Sequence, residues 1–450
     1  MQTCTLRDLV PEGAKAGTEA DQDVARLKSS ADMVGAIEAA VTFYERPPDK
    51  GMTVKTHWSD IWLSAGDWAE AFQAPEPGTP HNEARYQIWE ELLTILADYR
   101  GDDVPADQFR RSLLQNHELR TTFSRAWPLL DPADLVGDLW SVPAYLRKCA
   151  PWLSPQDVRL LQRGDARAWT VSDLPLLDAA RRRLGDPETS RRIRQRDEAV
   201  AAEREQMDRV IDNLIEVADD EYGVGLVTML RGEDFQDALV NEAALPGTDR
   251  DMLAGPFTHI VVDEAQELTD AEWQMLLLRC PSRSFTIVGD RAQARHGFTE
   301  SWRERLQRIG LNQVTLASLS INYRTPEEVM TEAEPVIRAV IPDANVPVSI
   351  RSNGIPVLHG PVADLGPVLD AWLAAHAEGI ACVIGDPAFP ATPRVRSLTP
   401  ELSKGLEFDL VILVDPEKFG AGIEAAVDHY VAMTRATERL VILTSSGERP

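Results

Sequence analysis

Residues 257–266 read FTHIVVDEAQ, a short apolar run that ends in two adjacent carboxylates, Asp263 and Glu264. The run is rich in β-branched residues and bounded by polar ones, which predicts a buried β-strand followed by a loop. A carboxylate in that position can hold Mg²⁺ through water, and its neighbour can orient and deprotonate an attacking water in phosphoryl transfer. Taken alone, however, a strand that ends in Asp-Glu is also an ordinary structural segment.

The chain after residue 255 alternates short apolar runs with helical segments. The apolar runs are HIVV, FTIVG, VTLAS, PVLHG, ACVIG, RVRSL, DLVILV and LVILTS. Continuous apolar strands separated by helices are typical of a parallel sheet that is covered on both faces. These runs are too many for one small sheet, so the sequence predicts an α/β fold with two lobes that divide near residues 311–320.

Four further polar elements follow DEAQ, each beside a predicted strand or helix. They are residues 289–293 (GDRAQ), 321–324 (INYR), 403–409 (SKGLEFD) and 430–440 (YVAMTRATERL). Arg324 lies in INYR and Arg435 in YVAMTRATERL. An arginine suits a phosphate-binding position because its guanidinium is always charged and can contact two phosphate oxygens at once.

The five elements, in this order, resemble the motifs of UvrD-type superfamily 1 helicases. The resemblance implies two RecA-like lobes of the P-loop NTPase type with parallel sheets, and hydrolysis of ATP with Mg²⁺ between them. It implies that Glu264 activates water and that Gln293 senses the γ-phosphate. Arg324 and Arg435 would contact that phosphate as arginine fingers. The residues that would contact ATP are Asp263, Asp290, Lys404, Gly405, Glu407 and Thr434, and Asp263 would also hold Mg²⁺ through water.

A long helical segment ahead of DEAQ makes one group within this superfamily more similar to the chain than the others. Residues 96–235 show helical periodicity and almost no β-branched alternation. This arrangement is similar to the HelD/HelR-type RNA polymerase-associated (recycling) ATPases, which carry a helical arm inside the first lobe. The resemblance implies RNA polymerase as the partner. It also makes the acidic loop Asp219-Asp220-Glu221 the candidate partner-binding tip of the arm, although a solvated acidic turn is the plainer interpretation.

We therefore expect four parts along the chain. Residues 1–95 are the remnant of an incomplete first RecA-like lobe, 96–235 the all-helical insertion, 236–312 the rest of that lobe and 313–450 the second lobe. Within the first part, apolar spacing predicts a helix over residues 31–44. Within the next helix, Asn82 is placed to act as the N-terminal cap.

The chain contains no GxxxxGK[ST] phosphate loop, whose backbone amides and lysine cradle the β- and γ-phosphates in such motors. The nearest stretch, residues 13–18 (GAKAGT), has the wrong order and no strand before it. Because the later motifs are intact, we interpret the chain as an N-terminally truncated member. We expect the isolated chain to bind ATP weakly and to hydrolyse little.

The composition limits the choice of partner and compartment. With 46 basic and 72 acidic residues the net charge is −26, which repels a phosphate backbone at long range and favours a protein partner over nucleic acid. No apolar run approaches a membrane span and the N-terminus is not a secretory signal, so we expect a cytoplasmic protein. Four scattered cysteines form no CxxC pair or Cys/His cluster, which argues against zinc.

Three functions stay open. The leading interpretation is a helicase-like, ATP-dependent motor that binds and remodels or recycles RNA polymerase. The first alternative is a UvrD-type DNA helicase or repair translocase, although the roughly 80 residues between NYR and KGLEFD leave no room for the second-lobe insertion of that kind. The second alternative is a polymerase-binding module that does not hydrolyse ATP.

Overall fold

The chain folds into two compact units that interleave along the sequence. The computed structural model describes residues 3–101, 104–187, 252–294 and 300–445. The first unit, called the helical unit below, comprises residues 1–256 and 269–279. The second, called the α/β unit, comprises residues 257–268 and 280–450. The four-part division expected from the sequence stays a prediction.

The described residues of the helical unit form helices joined by loops, with one antiparallel hairpin. The helices are α1 (Gln22–Lys28), α2 (Ala31–Thr42), α3 (Ala65–Ala71), α4 (His81–Asp98), α5 (Ala106–Gln115), α6 (His117–Ala126), α7 (Pro132–Ser141), α8 (Pro143–Cys149), α9 (Pro155–Leu161), α10 (Leu174–Leu184) and α11 (Asp270–Arg279). The hairpin strands are β1 (Met52–Lys55) and β2 (Asp60–Leu63). Short 3₁₀ turns lie at Leu6–Leu9, Pro11–Lys15 and Val171–Asp173.

Helix α2 confirms the helix predicted over residues 31–44, except that it ends at Thr42. The Ser30 hydroxyl caps its first turn by accepting a hydrogen bond from the Met33 amide at 3.2 Å. Such a cap satisfies a backbone donor that has no partner within the helix. The apolar side chains of Met33, Ile37 and Val41 are buried on one face, as their spacing predicts.

The prediction that Asn82 caps helix α4 is wrong. Pro80 occupies the N-cap position, and the Asn82 side chain is buried. Its amide exchanges hydrogen bonds of 3.0 Å with the backbone of Leu130 and donates a longer one to the Gly185 carbonyl at 3.3 Å. The Asn82 side chain therefore bonds to two backbone segments that are distant in sequence, and it does not cap the helix as its local sequence predicts.

The described part of the predicted helical insertion is helical. Between residues 104 and 187, helices α5 to α10 are joined by loops, and the described residues of that stretch form no strand. Four aromatic side chains, Trp68, Phe109, Phe123 and Trp127, lie in the hydrophobic core that helices α3 to α6 share. Residues 188–251, which include the acidic loop at Asp219, lie outside the described residues.

The α/β unit contains parallel strands and helices. Its helices are α12 (Trp302–Arg308), α13 (Glu327–Arg338), α14 (Leu365–Ala375) and α15 (Gly422–Thr434). Its strands are β3 (Ile260–Val262), β4 (Phe285–Ile287), β5 (Ile321–Asn322), β6 (Val348–Ser349), β7 (Leu358–Pro361), β8 (Ala381–Ile384), β9 (Val395–Leu398), β10 (Phe408–Val414) and β11 (Ala436–Thr444). Its 3₁₀ turns lie at Ala265–Glu267, Arg291–Gln293, Val362–Asp364, Glu401–Ser403 and Pro416–Lys418. No described helix of either unit is long and apolar enough to cross a lipid bilayer.

A five-stranded parallel sheet in the order β7-β11-β10-β8-β9 is the centre of the α/β unit. Helices α13 and α15 pack on the face that carries Val411 and Leu413. Helix α14 packs on the opposite face, which carries Leu410 and Ile412. Because β10 is buried on both faces, its sequence is continuously apolar. The predicted α/β class with parallel sheets is confirmed.

One of the predicted strands is wrong. The run VTLAS, residues 314–318, forms no strand, and the chain pairs only later, where β5 lies parallel to β6. Leu316 and Leu319 are 51% and 82% exposed. A strand that buries neither face gains little from its apolar side chains, so apolar composition alone is not enough to form one.

Candidate functional site

Strands β3 and β4 form a two-stranded sheet of their own, separate from the five-stranded sheet. They bring two polar loops to one edge of this small sheet. The strands are parallel, with Ile260 opposite Phe285 and Val262 opposite Ile287. The pairing continues past the strand ends, where the Val288 amide donates to the Val262 carbonyl at 2.8 Å. Because the carboxyl ends of parallel strands meet at the same edge, the DEAQ and GDRAQ loops lie side by side, which is where α/β folds bind ligands.

Glu264 has an unusual backbone conformation. Its φ of 52° lies in the left-handed region, which residues other than glycine adopt rarely. The Asp263 carboxylate accepts a hydrogen bond from the Glu264 amide at 2.9 Å. Both acidic side chains are exposed at the edge of the sheet. Uncommon backbone conformations of this kind cost free energy and concentrate at functional sites.

Gln266 links the two loops. Its side-chain Nε2 donates to Glu264 Oε2 at 2.5 Å, and its Oε1 accepts from the Asp290 amide at 3.0 Å. The side chain is buried. Gln266 is not among the site residues predicted from the sequence. It is the last residue of DEAQ, and its position close to the two carboxylates is the signal that could have indicated it.

Asp290 continues the connection toward Gln293. The Asp290 carboxylate accepts hydrogen bonds from Gln293 Nε2 and from the Ala292 amide, each at 2.9 Å. Burial raises the pKa of Asp290, and these two hydrogen bonds and the charge of Arg435 oppose that rise. The net direction is upward because removal of a carboxylate from water disfavours its charged form.

Arg435 ends the connection at the start of β11. Its Nη2 donates to Gln293 Oε1 at 3.3 Å, and its Nε donates to the Val431 carbonyl at 3.1 Å. The side chain is buried. Burial and the charge of Arg324 lower the pKa of Arg435, whereas the charge of Glu264 opposes this shift. Its hydrogen bonds go to neutral groups, so no carboxylate of the described residues bonds directly to the cation.

The contacts form one continuous hydrogen-bonded path from a surface carboxylate to a buried arginine. We call the path the relay; its members are Glu264, Gln266, Asp290, Gln293 and Arg435. The sequence predicted four of these five residues as site residues, and the structure brings all five together within the α/β unit.

Lys404 joins the KGLEFD loop to both polar loops. Its Nζ lies 2.5 Å from Glu267 Oε1 and donates to the Gln293 carbonyl at 3.1 Å. Gly405 follows with a φ of 72°, a conformation that favours glycine. Glu267, the residue after DEAQ, is a second site residue that the sequence did not indicate.

The remaining described site residues lie beside the relay, and Arg435 Nη2 donates to the Thr434 hydroxyl at 3.4 Å. Arg324 Nε is 2.7 Å from Glu407 Oε1, and both side chains are about half exposed. The Thr434 hydroxyl donates to the Val431 carbonyl at 3.0 Å. The Arg324 guanidinium is therefore at the surface and paired with a carboxylate, whereas Arg435 is buried.

The acidic residues present fit Mg²⁺ in a restricted way. Among the described residues no group of three histidine, cysteine or acidic side chains is placed to hold a metal ion. Asp263 and Glu264 are exposed at the ends of these strands. Mg²⁺ keeps several of its waters and needs only one or two protein carboxylates when a phosphate supplies further ligands. The donor set therefore suits Mg²⁺ that arrives with a phosphate ligand.

Comparisons with known proteins give helicases among solved structures. No family model matches the chain, and no curated protein matches it. The helicase of PRRSV is 19% identical over 41% of this chain and 34% of its own, with a TM-score of 0.27. Arterivirus nonstructural protein 10 (helicase) in complex with DNA is 20% identical over 41% of this chain and 39% of its own, with the same TM-score.

A bacterial structure is also similar over a shorter stretch. The C-terminal domain of a possible DNA helicase from Lactobacillus plantarum WCFS1 is 16% identical over 29% of this chain and 91% of its own, with a TM-score of 0.22. The chain spans between 34% and 39% of the length of the two viral helicases.

Proposed function

We propose that the α/β unit belongs to a helicase-like, ATP-dependent motor of the UvrD type, and that the protein uses this motor to remodel or recycle RNA polymerase. The relay is the observation that supports the proposal. It joins a surface carboxylate, two amides and a buried cation in one path. Phosphoryl transfer needs this combination, because positioning and charge stabilisation provide most of its catalysis.

Each end of the relay has a distinct task in the proposed reaction. Glu264 orients the attacking water and accepts its proton. Arg435 meets the charge that develops on the γ-phosphate, and Gln293 holds that arginine in place. When bound, Mg²⁺ supplies charge neutralisation on the phosphate oxygens, and Asp263 is the residue that would hold it through water.

Arg324 and Glu407 complete the nucleotide contacts in this proposal. Their ion pair is about half exposed, so its exchange for a phosphate or ribose contact costs little free energy. Lys404, by contrast, already contacts Glu267 and the Gln293 carbonyl. The sequence offers no GxxxxGK[ST] cradle for the β-phosphate, so efficient hydrolysis requires such a cradle from elsewhere.

RNA polymerase as the partner rests on charge and on the helical insertion. A net charge of −26 opposes long-range attraction to nucleic acid, whereas it is compatible with binding to a protein. The lack of a phosphate-loop sequence supports a second candidate, a polymerase-binding module that does not hydrolyse ATP.

Co-elution with RNA polymerase tests the proposal. Purified chain is mixed with the core polymerase of its own source organism and analysed by size-exclusion chromatography, with and without Mg²⁺ and ATP. We expect a complex whose affinity changes with nucleotide and loses that change in Glu264→Gln. A complex that is indifferent to nucleotide and to Glu264→Gln supports the non-hydrolysing module.

An ATPase assay with single-stranded DNA tests the alternative, a DNA helicase or repair translocase. Absence of a polymerase complex at micromolar concentrations, together with ATP hydrolysis that single-stranded DNA stimulates, would replace the proposal by a UvrD-type DNA helicase or repair translocase. Phosphate release by the chain alone is expected to stay well below roughly one turnover per second, the low end of ordinary enzyme rates.

A further inference from the structure

The helical unit contains a pocket of about 370 Å³ beside helices α4, α5 and α6. Arg85, Tyr86 and Trp89 line it from α4, and Arg120 and Phe123 line it from α6. The volume lies in the range of sites that hold small molecules. All its lining residues belong to the helical unit, whereas the relay belongs to the α/β unit, so the pocket is a separate site.

The pocket is locally positive in a strongly acidic chain. Among the described residues that line it there are two arginines and no aspartate or glutamate, although acidic residues outnumber basic ones by 72 to 46 in the sequence. Arg120 is exposed. The local charge therefore favours an anionic ligand over a neutral or cationic one.

Arg85 is a partly buried cation, and within the part of the chain that the structure describes its hydrogen bonds go to neutral groups. Its guanidinium donates to the Trp127 carbonyl and, at 2.9 Å, to the Ser124 hydroxyl. It also lies over the Phe123 ring, 4.5 Å from the ring centroid. Burial lowers the pKa of Arg85. A cation that is partly removed from water and has no anion beside it carries a charge that is not compensated. A bound anion would compensate this charge.

Apolar side chains form another wall. The half-buried Trp89 ring packs on the buried Phe123 ring, with 5.1 Å between the centroids. Leu114 and Leu129 also line the pocket and are 40% and 55% exposed. The Trp89 ring and these exposed apolar side chains favour a planar ligand body, which gains stacking and apolar contact.

We propose that this pocket binds a small planar aromatic anion of nucleoside monophosphate size, with its charge on Arg85 and Arg120 and its ring against Trp89. Neither half of such a ligand is sufficient. The anion provides the counter-charge that Arg85 lacks, and the ring covers the apolar wall. The inference is independent of the proposed motor function.

Isothermal titration calorimetry of the full chain with three probes tests both halves. AMP carries a base and a phosphate, adenosine lacks the phosphate, and ribose 5-phosphate lacks the base. We expect AMP to bind with a Kd below about 1 mM, and each of the other two to bind at least tenfold more weakly. Equal binding of AMP and adenosine, or no AMP binding at millimolar concentration, would overturn the proposal.

Matched variants locate the site. Arg120→Glu is expected to weaken AMP binding at least tenfold, and because Arg120 is exposed the variant should keep the melting temperature of the wild type. Arg111→Glu changes an exposed arginine of α5 that does not line the pocket, and should leave the AMP affinity unchanged. Arg435→Ala tests whether AMP binds at the relay instead. A loss of AMP binding in Arg435→Ala but not in Arg120→Glu would contradict the assignment.

Discussion

At the scale of single residues, the relay depends on the orientation of two glutamine amides. Gln266 donates to Glu264 and accepts from the Asp290 backbone, while Gln293 donates to Asp290 and accepts from Arg435. Each amide can serve an acceptor on one side and a donor on the other, which no carboxylate or ammonium group can do. The path therefore requires a side chain that both donates and accepts at each position, and an amide meets this requirement.

Replacement of Gln266 tests this requirement. Gln266→Leu keeps the approximate volume but leaves the Asp290 amide without its acceptor, and we expect the free energy of unfolding to fall by about 1–3 kcal/mol, the cost of an unsatisfied buried polar group. Urea denaturation measures the change. Gln307→Leu, at an exposed position of α12, is the control and should change stability by less than about 0.5 kcal/mol. Equal effects of the two variants would contradict the role of Gln266.

Asp290 makes the stability of the protein depend on pH in a definite direction. Its pKa is raised in the folded state, so the folded protein binds more protons at this site than the unfolded chain. The contribution of Asp290 is present below the unfolded pKa of about 4 and is lost as the pH rises through the folded pKa. Asp290→Asn does not titrate.

Comparison of wild type with Asp290→Asn isolates this contribution. The stability of wild type minus that of the variant should fall as the pH rises above the unfolded pKa of about 4, because the other titrating groups cancel in the difference. Urea denaturation at a series of pH values measures it. A difference that rises with pH would show that the hydrogen bonds to the carboxylate outweigh its burial.

At the scale of elements, one lysine connects the loop after the turn at Glu401–Ser403 to the two polar loops. Lys404 contacts Glu267 and the Gln293 carbonyl, so a single side chain joins three of the sequence elements. The ion pair is partly buried, with side chains 22% and 30% exposed. Partial burial makes it stronger than a pair at the open surface.

A double-mutant cycle measures this connection. Lys404→Met and Glu267→Gln should each destabilise the protein, and their effects should couple by roughly 1 kcal/mol. The exposed pair Arg338–Glu334, within helix α13, is a matched control; its coupling should be about 0.3–0.5 kcal/mol at most. Additive effects of Lys404→Met and Glu267→Gln would show that the contact contributes nothing measurable.

Much of the α/β unit was predictable because its signals are local. Strand β10 is apolar at nearly every position, and burial on both faces explains why. The run VTLAS carries a similar signal but remains exposed, and no sequence pattern shows whether a partner strand is within reach. Asn82 and Gln266 bond to backbone that is distant or on another loop, so their roles depend on tertiary contacts.

At the scale of the whole molecule, the chain passes from one unit to the other and back. Helix α11 belongs to the helical unit, although it lies in sequence between β3 and β4 of the α/β unit. Arg279, at its end, forms a buried pair with Asp178 of α10 at 2.6 Å and donates to the carbonyls of Leu253 and Leu9. These contacts hold α11 in the helical unit.

This arrangement predicts that the two units lose structure together. Unfolding of the helical unit releases α11, and the released segment connects the two strands that end in the relay. Arg279→Met leaves Asp178 buried without its main partner, and loss of one member of a buried pair costs about 3–5 kcal/mol. We therefore expect a lower melting temperature in a single transition, because destabilisation of α11 reaches both units.

Two probes distinguish this outcome from independent unfolding. Pulsed hydrogen exchange along a thermal ramp, measured at peptides that contain Trp140, in the helical unit, or Trp372, in the α/β unit, should show coincident transitions in wild type and in Arg279→Met. The control Arg26→Met removes an exposed pair with Asp23 and should leave both transitions unchanged. Transitions that separate in Arg279→Met would mean that the α/β unit keeps β3 and β4 in place without α11, and would contradict the coupling.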